Sequence, residues 1–393
     1  MISVQTAQEL IKEHTHILPV IQIPLKEAVG FVLAEDIIAP INTPPFQQSF
    51  VDGYAFCFAD WKSGDPLPLS GIIAAGDNFN TFSKGQAVRI FTGAMVPIGA
   101  DTVVMQEDTQ ICDNGIVITK KDIEQGANIR PMGSETKKGE LAMTAGMKLT
   151  PASIGYLCGL GIVEVQVFSI PKVNIIITGN ELQQPGTYLP MGKVYESNSQ
   201  SLFAALKQTG ITGIRTFYAA DDLESTKNLL RGLLPGCDLL LLSGGVSVGD
   251  YDYVSAALTA EGVETIFHKV KQRPGKPLYF GKKGNTLVFG LPGNPSSALT
   301  CFYQYVVPCI RMLQGENYTP LSVSLPLTKS YTKKAGLTHF LKGFADMNGV
   351  TILSGQESYK MRSFAVANCI VELDEEKENF IQGEPIKTYI KWS

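Results

Sequence analysis

The amino-acid sequence predicts a multi-domain α/β protein centred on a doubly wound, mostly parallel sheet. Three observations lead there. The 393 residues exceed one ordinary domain. Apolar residues make up 44% and charged residues 18%, the balance of a soluble globular chain with a sizeable core. From residue 171 to about 318, short apolar runs alternate with amphipathic helices, a rhythm that builds parallel sheets covered on both faces. The flanking stretches lack that rhythm.

Taken in order, residues 1–45 open with the amphipathic helix pattern of "MISVQTAQELIKEHTHILPV" and then become extended, closing on the prolines of "APINTPPF". Residues 46–131 read as short strands and turns, with glycine or proline at "SGDP", "AAGDN", "SKGQ" and "VPIGAD" and strand-like pieces such as "QAVRIF" and "GIVITK". Residues 132–170 return to a helix signal in "TPASIGYLCGLG". Thr150 can cap it, Pro151 suits a first helical position, and Gly159 or Gly161 can end it. If this helix packs back on the N-terminal one, residues 1–45 plus 132–170 form a helical and extended N-terminal domain, and 46–131 are an inserted β-rich domain.

Residues 171–318 then supply the strands "KVNIII", "IRTFYAA", "CDLLLLS", "VETIFHKV" and "TLVFGLP". Between them lie the helices "SNSQSLFAALKQTG", "DDLESTKNLLRGLLPG" and "DYVSAALTAEG", and "PSSALTCFYQYVVPCIRML" closes the region. Residues 319–393 read as a small C-terminal β domain.

Composition excludes several classes. A net charge of −4 does not favour a nucleic-acid partner, which needs a basic face. The N-terminus does not read as a signal peptide, and no apolar run reaches the roughly 18 residues that a membrane span requires. Seven cysteines without a CxxC pair argue against a disulfide framework and a zinc knuckle. Cys57, Cys158, Cys301 and Cys369 sit among apolar neighbours, as small core residues do. A reduced, cytoplasmic, soluble protein is expected.

The unusual residues cluster in five loops: "TGNEL" (178–182), "DD" (221–222), "SGGVSVGDYD" (243–252), "KQRPGKP" (271–277) and "GLPGNPSS" (290–297). All five are expected at one edge of the sheet, where ligands of such folds bind. Glycines after a strand ordinarily only form turns, and the third loop is neither a GxGxxG fingerprint nor a P-loop. Even so, Ser243, Gly244, Gly245 and Gly249 would let the backbone turn its N–H groups toward a phosphate. Asp250 fits a helix cap, and Asp252 the first turn beyond it. Together Glu181, Asp221, Asp222 and Asp252 are more carboxylates than turns need, which points to a hard divalent cation, most plausibly Mg²⁺.

Lys269, Lys271, Arg273 and Lys276 supply the opposite sign in a loop stiffened by Pro274, Gly275 and Pro277. Ser296 and Ser297 open the last helix, a further anion site by dipole. Phosphoryl or nucleotidyl chemistry fits this set. His14 and His16 would face different sides of a helix, His268 and His339 are isolated, and the segment around Thr92 is loop-like.

"SFVDGYA", "RIFTGAMVPIGADTVVMQED", "TGNEL", "SGGVSVGDYDY", "PGKP" and "GLPGNPSS" occur in this order over about 250 residues. Together they resemble the molybdopterin molybdenumtransferase family, bacterial MoeA and the E domain of gephyrin, along nearly the whole chain. The resemblance implies an elongated four-part protomer whose α/β domain is of the molybdopterin-binding type, and a homodimer with its active site in a cleft between subunits. It implies insertion of molybdenum, from molybdate, into adenylylated molybdopterin, with release of AMP and help from Mg²⁺. Transient contact with the molybdopterin adenylyltransferase and with apo-molybdoenzymes is implied as well.

By motif, the resemblance assigns Asp52 and Thr92 to the cleft, and Glu135 to a position that is acidic in the family. It makes Glu181, Asp222 and Asp252 the carboxylates of the large domain, with Asp252 foremost in the metal-assisted step. Arg273, Lys276 and Ser297 become the molybdate rim, completed by Lys342 of "HFLKG" and Ser358 of "QESYK". Arg273 stands where many relatives have lysine, Lys342 where many have arginine, and Asn180 makes "TGNEL" of the commoner TGDEL. These departures bear on oxyanion geometry and on the choice between molybdate and tungstate. Two other readings remain: adenylylation of molybdopterin, and a non-enzymatic scaffold of the gephyrin type.

Overall fold

The computed structural model describes residues 1–78, 82–245 and 253–390. The chain forms two compact units, one of Met1–Ile21, Gly30–Ala34 and Val167–Ser393, the other of Gln22–Val29 and Glu35–Gln166.

The first unit holds a six-stranded sheet in the order Ile214–Ala219, Val173–Thr178, Leu239–Ser243, Thr286–Leu291, Tyr279–Lys283, Glu264–His268. The first four strands are mutually parallel. Tyr279–Lys283 runs antiparallel to both of its neighbours, so the sheet is mostly parallel, with one reversed strand that the sequence reading did not find. Its cause is local: Lys283 pairs with Thr286 across Gly284 and Asn285, a two-residue hairpin with Gly284 at φ +57°. Because Glu264–His268 is reversed twice relative to Thr286–Leu291, it still ends at the same edge as the parallel strands.

Val173–Thr178, Leu239–Ser243 and Thr286–Leu291 are buried at every position, as expected of strands covered on both faces. The side chains of alternate residues divide between two cores. Ile175, Ile177, Leu239, Leu241 and Phe289 pack with Leu202, Leu206, Phe302 and Ile310. Ile176, Leu240, Leu242 and Val288 pack with Leu230, Leu233, Val254 and Leu258. Each fully buried aliphatic side chain contributes about 1.5–3 kcal/mol.

Helix Val4–His14, capped by Ser3, belongs to this unit. Val4, Ala7 and Ile11 are its apolar stripe and join the first of the two cores, and Leu18 N–H donates to Leu313 O at 2.8 Å. The closing helix runs as Pro295–Cys301, a π-helical Phe302–Val306 and Val307–Leu313. Pro308 lies in its interior and has no N–H for the carbonyl of Gln304, which accounts for the wider turn there.

Beyond residue 320, Ser322–Pro326, Thr338–Asp346, Cys369–Leu373 and Pro385–Ile390 form a second sheet over Leu341, Val371, Leu373 and Ile386. Gln272–Arg273 adds to it, parallel to Thr338–Asp346.

In the other unit Leu69–Ile73, Ala87–Ile90, Gly53–Phe56 and Thr102–Met105 form a four-stranded sheet over Ala55, Ile73, Val88, Ile90 and Val103. Gly53 of "VDGYA" has a steric reason: a Cβ there would lie 1.9 Å from Val104 O. Helix Pro151–Gly159 carries the expected cap as a reciprocal box between Thr150 and Ser153. The expectation for the thiols holds at Cys301 and Cys369, which are buried. Cys158 is exposed and Cys57 half-buried, because the helix face bearing Cys158 is not covered. No helix among the described residues is long and apolar enough to cross a membrane.

Candidate functional site

At the carboxyl edge of the parallel strands the first unit contains a cavity of about 610 Å³, walled by Thr178, Gly179, Glu181, Glu196, Asn198, Asp221, Ser243–Gly245, Pro277, Pro292–Pro295 and Tyr359. Ligand sites commonly have this size. All five predicted loops contribute to it or border it.

"TGNEL" leaves its strand through Gly179 at φ +149°, and Asn180 Oδ1 accepts from Asp221 N–H at 3.3 Å, tying the first two loops together. Burial raises the Asp221 carboxyl above its ordinary range, and the neighbouring charges of Glu181 and Asp222 add to the shift. Asp222 itself caps helix Leu223–Leu233, its Oδ1 accepting from Ser225 N–H at 2.8 Å. Gly244 and Gly245 adopt φ +95° and +63°. A Cβ on Gly244 would fall 2.2 Å from Thr178 O, so only glycine lets this turn lie against the neighbouring strand. Gly249, Asp250 and Asp252 lie outside the described residues.

In the basic loop, Arg273 and Lys276 are exposed, and Pro277 walls the cavity. The turn is held from below by Gln272, which is buried. Its Nε2 donates to Pro274 O at 3.1 Å and to Gly275 O at 3.2 Å, while Tyr305 O–H donates to its Oε1. Ser296 and Ser297 are buried. The amide of Ser296 donates to Ser358 O at 3.1 Å, and Asn294 Nδ2 donates to Ser358 Oγ at 3.0 Å. The first turn of this helix is thus partly satisfied by "QESYK", which brings Tyr359 to the cavity wall.

Lys342 is placed differently from the oxyanion rim expected of it. It is buried, and its ammonium donates to Ser296 Oγ at 3.1 Å and to the carbonyls of Gly355, Glu357 and Lys360 at 2.9–3.3 Å. Its strand faces it inward, so the charge meets protein oxygens.

Asp52 and Thr92 pair within the other unit. Asp52 Oδ1 accepts from the Thr92 amide at 2.8 Å and from its hydroxyl at 2.7 Å. These bonds, the amide first, hold the Asp52 carboxyl below its ordinary range. A carboxylate so lowered stabilises the fold above the ordinary pKa of 3.8 and loses that contribution as pH falls through the folded value. Thr92→Val is expected to raise the Asp52 pKa toward 3.8, read by NMR titration; an unmoved titration curve contradicts the assignment. Glu135 is exposed, and its amide donates to Thr43 O at 3.0 Å.

Sequence reasoning missed Glu196, Asn198, Gln272 and Tyr359. The dense polar run "YESNSQ" was the available signal for the first two: Glu196 accepts from Ser199 N–H at 2.7 Å, and Asn198 reaches Ser243 and Gly293.

A glycine-turned, acidic cleft at the carboxyl edge of a doubly wound sheet defines an α/β protein that binds its ligand at that edge. Residues 174–312 match the probable molybdopterin binding domain, residues 2–161 the MoeA N-terminal region (domain I and II), and residues 324–391 the MoeA C-terminal region (domain IV). The chain belongs to the molybdopterin molybdenumtransferase family of transferases. It is 36% identical over 370 residues to the molybdopterin molybdenumtransferase of Haemophilus influenzae, covering 92% of this chain and 91% of that one. It is 34% identical over 408 residues to molybdopterin molybdenumtransferase 2 of Mycobacterium tuberculosis, covering 99% of each. A crystal structure of a molybdopterin biosynthesis MoeA protein from Pyrococcus horikoshii superposes with a TM-score of 0.85 at 31% identity, covering 100% of this chain and 99% of that one.

Proposed function

We propose that this chain inserts molybdenum into molybdopterin, taking molybdate and adenylylated molybdopterin as substrates and releasing AMP. The observation that carries the reading is the acidic cleft itself. Glu181 and Asp221 share a partly enclosed wall where burial and mutual repulsion already disfavour the ionised Asp221.

Such oxygen donors suit a hard cation that keeps most of its water and takes one or two carboxylates plus substrate phosphate, the habit of Mg²⁺. Glu181 and Asp221 would hold the ion, with Asp252 a further carboxylate and Asp222 contributing through its free oxygen while it caps its helix. Bound Mg²⁺ supplies charge neutralisation at the phosphate.

The chain's own groups do the rest. The turn at Ser243–Gly245 lets phosphate oxygens approach the backbone closely. Arg273 and Lys276, on a loop braced by Gln272, attract the oxyanion, aided by Ser297 and Ser358. Asp52, kept ionised by Thr92, is a further carboxylate for the reaction. The working form is a cytoplasmic homodimer that meets the adenylyltransferase and apo-molybdoenzymes transiently.

Glu181→Gln tests the reading. With adenylylated molybdopterin, molybdate and Mg²⁺, AMP release is expected to fall by about 10²–10³-fold, as when one preorganised electrostatic contact is lost, with the thermal midpoint unchanged. Undiminished release sinks the role of the cleft, and a requirement for ATP in place of the adenylylated substrate identifies the adenylyltransferase.

A further inference from the structure

Two buried polar groups in the cleft wall have no hydrogen-bond partner among the described residues: Thr178 Oγ1 and Asn198 Oδ1. Thr178 is 3% and Asn198 8% exposed. Leaving such groups unmet is unfavourable, and in native proteins they are satisfied by protein, by ordered water or by a ligand.

The orientation of Asn198 follows from chemistry. One amide hydrogen goes to Ser243 Oγ and the other to Gly293 O, both at 2.8 Å. A backbone carbonyl can only accept, so the NH₂ must face Gly293, and rotating the amide would set oxygen against oxygen. Oδ1 is therefore a fixed acceptor. Thr178 Oγ1 lies against the glycine turn, where Cβ atoms on Gly244 and Gly245 would approach it to 2.9 and 3.0 Å. The wall beside them adds the carboxylates of Glu181 and Asp221. This side of the cleft is rich in acceptors.

We infer that Asn198 and Thr178 are specificity-determining residues that read a donor-rich heterocycle edge, that of a 2-amino-4-oxopyrimidine. This deepens the proposed function and rests on it. In such a ring the 2-amino group and N3–H are both donors, which the unpartnered oxygens of Asn198 and Thr178 can accept. Adenine places its one exocyclic donor next to an acceptor nitrogen and leaves Oδ1 facing a lone pair.

The test uses the full chain and two neutral probes, 6-methylpterin and its 2-dimethylamino analogue, whose binding is read by pterin fluorescence and calorimetry. Wild type is expected to prefer 6-methylpterin by about tenfold or more, the usual effect of a buried acceptor left unpaired. Thr178→Val, which removes no side-chain hydrogen bond among the described residues, and Asn198→Ala should each weaken 6-methylpterin about tenfold and abolish the preference. A purely structural role would weaken both probes alike, and a water filling the pocket would leave Thr178→Val unchanged; either result overturns the inference, as does absence of pterin binding to wild type. AMP release by wild type is measured alongside. Normal release with unaltered discrimination in the variants removes this inference and leaves the insertase reading standing, whereas no release by wild type removes that reading itself.

Discussion

Gly275→Ala is expected to destabilise the first unit by about 2–5 kcal/mol, combining left-handed backbone strain of roughly 1–2 kcal/mol with overpacking of roughly 1–3 kcal/mol. Gly275 has φ +91°, and a Cβ there would stand 2.4 Å from Cys301 Sγ and 2.7 Å from Gln272 Nε2. Neither neighbour can retreat easily. Cys301 is fully buried in the closing helix, and Gln272 is fixed by Pro274, Gly275 and Tyr305. Displacing Gln272 releases the turn that carries Arg273 and Lys276, so molybdate binding should weaken together with stability. Urea unfolding and molybdate titration of the purified variant check both; a midpoint within experimental error of wild type refutes the steric argument. Gln272→Leu separates the two effects, because it removes the brace without backbone strain.

What the sequence disclosed about this molecule follows from the range of the interactions involved. The apolar runs "KVNIII", "CDLLLLS" and "TLVFG" are legible because burial on both faces leaves no place for polar residues. Thr150 and Ser153 are legible because a capping box is closed within four residues. The strand Tyr279–Lys283 escaped because Gly281, Lys282 and Lys283 dilute its apolar pattern, although its glycine hairpin was a usable sign. Helix Val4–His14 was recognisable as amphipathic, but nothing in an apolar stripe says which core it joins.

The same limit governs the site. Five loops could be brought to one edge by strand alternation alone. The braces beneath them are long-range polar contacts, such as Gln272 with Tyr305 and Asn198 with Gly293, and sequence spacing carries no trace of these. Asp222 shows how a correct residue acquires a second meaning. Its carboxylate faces the acidic neighbourhood and also closes a helix, so its charge alone did not reveal its geometry.

Lys342→Met is expected to cost about 2–4 kcal/mol at pH 7, because it removes the donor shared by Ser296 Oγ and three carbonyls and leaves buried acceptors unmet. The side chain is 3% exposed. Burial pushes its ammonium down to about 8 from an ordinary 10.5, with Glu357 opposing and Lys360 adding to the shift. The pH dependence then has a definite sign. Between about 8 and 10.5 the unfolded chain binds more protons at this lysine than the folded one, so its contribution to stability rises with pH across that window. The gap between wild type and Lys342→Met should therefore be larger at pH 9.5 than at pH 7, although both proteins weaken as other groups titrate. Urea unfolding at the two pH values measures the gap directly. Since the same ammonium clamps the segment Gly355–Lys360, which brings Tyr359 to the cavity wall, the variant should also bind 6-methylpterin more weakly. A gap that stays constant with pH, with pterin affinity unchanged, would show that the lysine neither carries a displaced pKa nor anchors the C-terminal sheet to the cleft.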